Sequence, residues 1–433
     1  MEISITLLIL SIFIGFILGI ISGLAPGVHV NNFALVLVAL SPLFLNIGFA
    51  PFYIAVIILS NSIAQTFIDI IPSIFLGAPE ADTALAVLPG HALLMEGRGS
   101  EAVRLSALGS AGAVVMALLM AIPLGFFFFY FYGTIDAYIG WILLFIVVLM
   151  ISTEKGEVVI GQGSLVHLKY KGFAVMLFLL SGMLGMFAFA NADKMAPLIT
   201  FGEPSILLPL LSGLFGSSML VISLMTGSEI PPQQKKCGFV LPGKRIAKGI
   251  AIGSMAGSFV AWLPGVSSAV GTLIARLLIP EKKDQDSSKE FIISLSGANT
   301  ANAIFSLIAL YTIQRTRSGA MVAVDKLINI SEWELSVIIV LLAVIIYVSL
   351  ISYYTTIFLG DRIPVYLSRI NYSKLCTGVL AGLALMVIMF TGWFGLAIFL
   401  ISTTVGMIAS FAKIRKTHAM GVILLPVVMM YFF

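Results

Sequence analysis

Asn61, Gln65 and Asp69 recur every four residues through the otherwise apolar stretch SNSIAQTFID. On a helix that spacing puts all three on one face. A carboxylate flanked by Ile68, Ile70 and Ile71 is costly to keep charged without a partner at membrane depth. Two roles fit Gln65 and Asp69: a coupling-ion or proton site, or a buried polar clasp between helices. A second set of polar residues follows two chain breaks. SGLAPGVHVNN carries Pro26, Gly27 and Val28, then His29, Asn31 and Asn32; WLPGVSS carries Pro264, Gly265, Ser267 and Ser268. Proline lacks an amide proton and clashes with the preceding turn, and glycine tolerates the bend. Backbone groups freed inside a membrane are tolerated only within protein or beside water. A helix N-terminus there attracts anions. Two such breaks, each followed by hydrogen-bond donors, read as an anion-binding site, against the alternative of proline kinks braced by neighbouring helices.

Two further segments carry polar chemistry. In SGANTANAIF, Asn299 and Asn302 lie three apart on one helical face. The small residues around them also allow close helix packing. Downstream, TIQRTRSGA supplies Arg315 and Arg317. Arginine grips a carboxylate or phosphate through two parallel bonds; the alternative is a basic loop at a helix end. In GAPEADTALAVLPGHALLMEGRGSEAVRL, Thr83 reads as a helix cap and Ala84 to Leu88 as a run too short to span. Pro89-Gly90-His91 is expected to end that run. Glu96, Arg98, Glu101 and Arg104 read as solvated loop charges.

These residues are set in a chain of 433 residues that is 60% hydrophobic and only 10% charged, with a mean hydropathy of +1.10. Soluble proteins carry about 25% charged residues, so the composition is that of an integral membrane protein. Apolar segments of spanning length recur, and backbone groups in lipid must bond internally. The fold class is therefore all-α and polytopic, with about 10–12 transmembrane helices. Segments are placed at 4–25, 30–48, 51–76, 101–131, 135–152, 172–190, 205–225, 248–263, 266–280, 291–313, 333–353, 375–392, 394–412 and 418–432. Two cysteines, Cys237 and Cys376, make neither a disulfide framework nor a metal cluster. The four histidines are scattered, so no metal site is expected. No basic, aromatic-interleaved region points to nucleic acid. Glu2, with no Lys or Arg before the first apolar run, makes a poor signal peptide, and that run reads as a retained helix.

The chain also repeats itself. Pro264-Gly265 follows Pro26-Gly27 at an offset of 238 residues, and the same offset pairs Gly15 with Gly253, Gly19 with Gly257, Asn61 with Asn299 and Phe67 with Phe305. An internal duplication follows. It divides the chain into a first half, 1–225, a basic connecting loop, 226–247, and a second half, 248–433. Nothing basic precedes the first repeat, whereas Lys235, Lys236, Lys244, Arg245 and Lys248 precede the second. Cytoplasmic loops collect Lys and Arg, so the repeats are read as inverted, with the N-terminus outside a plasma membrane. Asp69 pairs with Leu307 at this offset, so an ion site there would be asymmetric.

Taken together, GLAPGV, WLPGV, the GAPEADTALAVLPGHALLMEGRGSEAVRL segment and GANTANA resemble the large membrane subunit of the tripartite tricarboxylate transporters, the TctA type. The resemblance spans most of the chain. It implies an ion-coupled secondary transporter of a carboxylate-class anion. It implies two inverted repeats, broken or re-entrant tips at Pro26, Gly27, Pro264 and Gly265, and contacts from Asn61, Asn299 and Asn302. It also implies a small membrane subunit and an extracytoplasmic binding protein as partners, with no cofactor beyond a coupling proton or Na+. The chain departs from the family at Ser60-Asn61-Ser62, where a glycine-rich run is expected, and at Thr316-Arg317-Ser318-Gly319, where a second Gly-x-Pro is expected. LPGVSSAVGTLIA is also similar to the Pro-Gly-Val-Ser motif of polyprenyl-phosphate translocases, which would make the partner an anionic lipid headgroup. An intramembrane enzyme would need His29 and Asp69 to act together, and no motif joins them.

Overall fold

The computed structural model describes residues 4–25, 30–75, 83, 87–154, 156, 165–198, 204, 206–226, 233–234, 238, 240–263, 266–279, 285–367 and 372–432. Its helices are α1 (Ile5–Leu24), α2 (Val30–Ala39), α3 (Ser41–Asn46), α4 (Pro51–Ile68), α5 (Ile70–Phe75), α6 (Val87–Met95), α7 (Gly99–Ala137), α8 (Ile139–Ser152) and α9 (Leu165–Ala190). They continue as α10 (Leu207–Leu211), α11 (Ser218–Thr226), α12 (Gly243–Val260), α13 (Ser268–Leu278), α14 (Gln285–Ile313), α15 (Gly319–Leu327), α16 (Leu335–Leu367), α17 (Tyr372–Phe411) and α18 (Gly421–Phe432). No strand occurs among the described residues. Eight helical stretches there are long and apolar enough to cross a membrane, and Ile139–Ser152 and Lys416–Phe432 are shorter apolar helices. α17 is two helices merged across a kink at Gly392 (φ 70°). The protein is thus an all-α, polytopic membrane protein.

Two sequence readings change. Pro89, Gly90 and His91 lie inside α6 rather than ending a run. Pro89 falls in the helix's first turn, where the missing amide has no intrahelical partner to lose. The charges 96–104 are not all solvated. Glu101 is fully buried and pairs with Lys289 at 2.8 Å and Arg98 at 2.6 Å. Arg104 pairs with Asp361 of α16 at 2.7 Å. The helix starts of α7 and α14 are packed together, so their charges neutralise one another instead of facing water.

Close packing at glycine gives the two repeats the same local architecture. A methyl group at Gly15 would stand 2.4 Å from the Ile57 carbonyl oxygen, and one at Gly253 2.1 Å from that of Ser294. At Gly19 the clash is with the Asn61 carbonyl (2.9 Å), and at Gly257 with the Ala298 carbonyl (2.1 Å). α1 therefore runs parallel to α4, and α12 parallel to α14, each pair fitted backbone to backbone as small residues permit. α12 starts 238 residues after α1, and α13 the same distance after α2.

The directions of the central helices follow from their contacts. Gly99, at the start of α7, meets the Phe75 ring at the end of α5, and Ser110 further along α7 reaches back to the Thr66 carbonyl at 3.5 Å. α4 and α7 are therefore antiparallel. Along α7 and α14, Glu101 meets Lys289, Gly109 meets Ile293 and Gly125 meets Thr312, so these two are parallel. α4 and α14, which the 238-residue offset makes equivalent, consequently run in opposite directions. That is the inverted relation expected from the charges.

At the end of α8, Glu154 is buried beside His418. His418 Nε2 lies 2.7 Å from Glu154 Oε2, and the amides of Gly156 and Arg415 donate to the carboxylate at 2.8 and 3.0 Å. Burial alone would raise this pKa. The bonds from His418, Gly156 and Arg415, with the Arg415 charge, hold it down at about 2. A folded pKa below the unfolded one gives stability that is complete above the unfolded value and lost as pH falls towards the folded one. Glu154→Gln should lower stability by about 1–3 kcal/mol at pH 7. In detergent melting curves, the gap to the unsubstituted protein should shrink between about pH 4.5 and about 2. Packing makes a second prediction. Gly253→Val should destabilise by about 1–3 kcal/mol or more through overpacking. Gly378→Val, with nothing within 4 Å, should melt as the parent does.

Candidate functional site

The site is built on α4, which continues as α5, and every residue from Phe52 to Phe75 is buried. Such a helix carries polar side chains only if neighbours satisfy them. Asn61 Nδ2 donates to the Ser22 hydroxyl at 3.1 Å, and that hydroxyl donates to Gln65 Oε1 at 3.1 Å. Two turns beyond Asn61, Asp69 sits in the turn between α4 and α5, 4% exposed. Asn299 Nδ2 of α14 donates to Asp69 Oδ2 at 2.8 Å, and the Ser268 hydroxyl of α13 donates to Asn299 Oδ1 at 3.2 Å. Beside this chain the Thr300 hydroxyl donates to the Thr66 hydroxyl at 3.1 Å. The residues singled out as Asn61, Gln65, Asp69, Ser268 and Asn299 thus fall in one polar seam, and two of its links join the first half of the chain to the second.

The seam crosses where the two equivalent helices cross. Asp69 meets Asn299, the counterpart of Asn61, and Thr66 meets Thr300. The duplicated asparagines differ in use. Asn299 has both ends of its amide engaged. Asn61 is fully buried and its Oδ1 has no hydrogen-bond partner. An orphaned acceptor in that position costs about 1–3 kcal/mol and marks a place where a donor or cation would be welcome.

Other expected residues are placed differently. Ser267 caps α13, its hydroxyl accepting from the Ala269 amide at 3.2 Å. Asn302 is half-buried one turn past Asn299, and its carbonyl accepts from Ser306. Arg315 is exposed and Arg317 half-buried beyond the far end of α14, away from the seam. Pro26, Gly27, Val28, His29, Pro264 and Gly265 lie outside the described residues. Asn31 and Asn32 lie in the first turn of α2, and their side chains are outside the description.

Ser22 and Trp262 were not singled out from the sequence. Ser22 shares its helical face with Gly15 and Gly19, and that face is the one pressed on α4. Trp262, just before the second break, is fully buried and stacked on Phe128 at 3.9 Å, and its Nε1 donor has no partner. Among the described residues no group of three or more His, Cys, Asp or Glu could hold a metal ion.

Comparison with known proteins decides the family. The chain matches the Tripartite tricarboxylate transporter TctA family over residues 9–421. It belongs to that family. It is also 27% identical, over 435 aligned positions covering 98% of each chain, to the uncharacterized protein MJ1079 of Methanocaldococcus jannaschii. No solved structure matches it. The protein is accordingly a transporter component, a multi-pass membrane protein of the TctA type.

The seam makes a stability prediction. In a double-mutant cycle of Asp69→Leu and Asn299→Leu, the pair should lose less than the sum of the two single losses. The coupling should be about 1.5–3 kcal/mol, as for a charge-assisted hydrogen bond. Melting in detergent micelles measures it.

Proposed function

We propose that this protein is the large membrane subunit of an ion-coupled secondary transporter that moves a small carboxylate-class anion across the plasma membrane. The observation that carries the reading is the Asn299–Asp69 bond across two inverted, equivalent helices. A carboxylate at membrane depth is stable charged only with a donor or cation beside it. Asp69 can therefore exchange its asparagine donor for a proton or Na+, and each choice favours a different relation between α4 and α14. A ligand shifts such an equilibrium only by its differential affinity for the two arrangements. Binding the coupling ion at Asp69, with Gln65 beside it, supplies that difference.

The breaks supply the anion site in this reading. α2 and α13 begin directly after them, and the positive ends of two half-helices aimed at one point suit a carboxylate. Asn31, Asn32, Ser267 and Ser268 stand on those first turns or at the cap; His29, Pro26, Gly27, Val28, Pro264 and Gly265, outside the described residues, are assigned to the same site by their place in the sequence. Asn61, with its free Oδ1, Asn299 and Asn302 line the wall. Alternating access then follows from exchange between the halves 1–225 and 248–433 about the loop 226–247.

Charge supports the orientation. Arg98, Arg104, Lys248 and Lys289 gather at the ends where α7, α12 and α14 begin, which is the cytoplasmic pattern. α1 starts at the opposite end, because it is parallel to α4 and α4 is antiparallel to α7. In this reading the N-terminus lies outside. Family membership supports a small membrane subunit and an extracytoplasmic binding protein as partners.

The test is reconstitution in liposomes with labelled di- and tricarboxylates under proton or Na+ gradients. The unsubstituted protein should accumulate at least one of them. Asp69→Asn should cut gradient-driven accumulation at least tenfold while retaining exchange. Accumulation by Asp69→Asn equal to that of the parent would remove Asp69 from coupling. Binding of polyprenyl phosphate with no carboxylate uptake would replace the carboxylate by a lipid phosphate.

A further inference from the structure

At the end of α14 the chain turns through Gln314, whose φ of 51° lies in the left-handed region. Glutamine rarely takes that conformation, and such outliers persist where surrounding structure fixes them. The turn folds Arg317 back over the ring of Tyr132 on α7, with the guanidinium carbon 5.2 Å from the ring centroid. The Arg317 Nε and Nη2 atoms are both buried and have no hydrogen-bond partner. Those two N–H groups form one edge of the guanidinium, the edge that meets a carboxylate side-on through two parallel bonds. Buried donors are satisfied in the great majority of cases, and charged ones are the most costly to leave alone. Burial lowers the pKa of Arg317 from its ordinary value, with Tyr431 opposing that shift. The Nε–Nη2 edge of the half-buried guanidinium is thus held out of water without a hydrogen-bond partner.

Its surroundings lead along α7 to Trp262, which follows α12. Tyr132 and Phe128 are four residues apart on α7 and so share a face. Tyr132 carries Arg317, and Phe128 stacks on Trp262. Trp262 ends in the second orphaned donor, Nε1, just before the second break. Two residues with unpartnered buried donors, Arg317 and Trp262, therefore lie along one aromatic strip, their ring partners Tyr132 and Phe128 about one helical turn apart on α7. Asp136 stands beyond them and is already engaged by the Tyr132 hydroxyl at 3.0 Å.

We propose that Arg317 is a carboxylate-receiving residue at the outward mouth, gripping the anion through Nε and Nη2 before it passes along Tyr132 and Phe128 to Trp262 and the second break. The proposal rests on the carboxylate reading above and on the outward placing of the α14 end.

The test uses the full chain in nanodiscs and liposomes, with citrate and succinate as probes and inorganic phosphate as the competing anion. Arg317→Lys keeps the charge and removes the fork. It should raise the KM for carboxylate uptake about tenfold or more and leave the maximal rate within about twofold. Tyr132→Leu, which removes the ring beneath the guanidinium, should shift KM in the same direction by a smaller factor. Calorimetric titration of Arg317→Lys should show the matching loss of affinity. Elution as a single folded species controls for misfolding. If both variants match the parent in KM and affinity, the receiving role is overturned while the transport reading stands. If phosphate binds at Arg317 more tightly than either carboxylate, the ligand assignment is overturned. If the unsubstituted protein neither binds nor takes up a carboxylate, both readings fall together.

Discussion

A carboxylate in the turn between two buried helices, α4 and α5, constrains everything around it. Asn299 donates to Asp69 and is held in turn by Ser268. For Asn299 to reach Asp69, α14 must cross α4 at that level. For α4 to be enclosed from Phe52 to Phe75, helices must press on it from several sides. Gly15, Gly19 and Gly23 let α1 do so at backbone distance. α16 packs on another flank and α15 covers it as well. The hydrophobic helices around α4 exclude water, and a low dielectric strengthens the Asn299–Asp69 bond at the crossing.

Duplication gives the crossing its geometry, and divergence gives it direction. Inverted equivalents that cross near their middles bring like positions together, and here Asn299 faces Asp69 rather than Asn61. The second half has Leu307 where the first has Asp69. Only one intramembrane carboxylate therefore results from two copies of the motif. Asn61, whose own carbonyl oxygen is left free, and Asn299, fully engaged, are the same residue in two unequal environments.

Much of this was legible in the sequence because it is periodic or repeated. The four-residue spacing of Asn61, Gln65 and Asp69 fixed their face, and one constant offset tied α1, α2 and α4 to α12, α13 and α14. What stayed hidden depends on contacts between distant segments. Glu101 looked solvated because its neighbours Glu96 and Arg98 are charged; only the docking of α7 on α14 brings Lys289 to it. Glu154 and His418 are 264 residues apart and carry no shared motif. Pro89 looked like a terminator because proline usually ends helices, but in a first turn it does no harm. The orphaned donors of Trp262 and Arg317 are invisible to any spacing rule, since a missing partner is a property of the packed state.

The packing also limits how the halves can move. α14, from the second half, lies along α7 of the first, and α4, from the first half, lies along α16 of the second. At one end the Glu101–Lys289 pair ties α7 to α14, and the Arg104–Asp361 pair ties α7 to α16. Pulling the halves apart as rigid bodies would expose Glu101, which is fully buried, and strand a charge without its partner. Breaking one member of such a pair costs about 3–5 kcal/mol. A rearrangement centred on the α4–α14 crossing avoids that cost, because Asp69 and Asn299 can trade partners while the ion-paired ends stay closed. The carboxylate at the crossing is therefore a weaker link between the halves than the ion pairs, and in the proposed transport cycle it is the link that is exchanged.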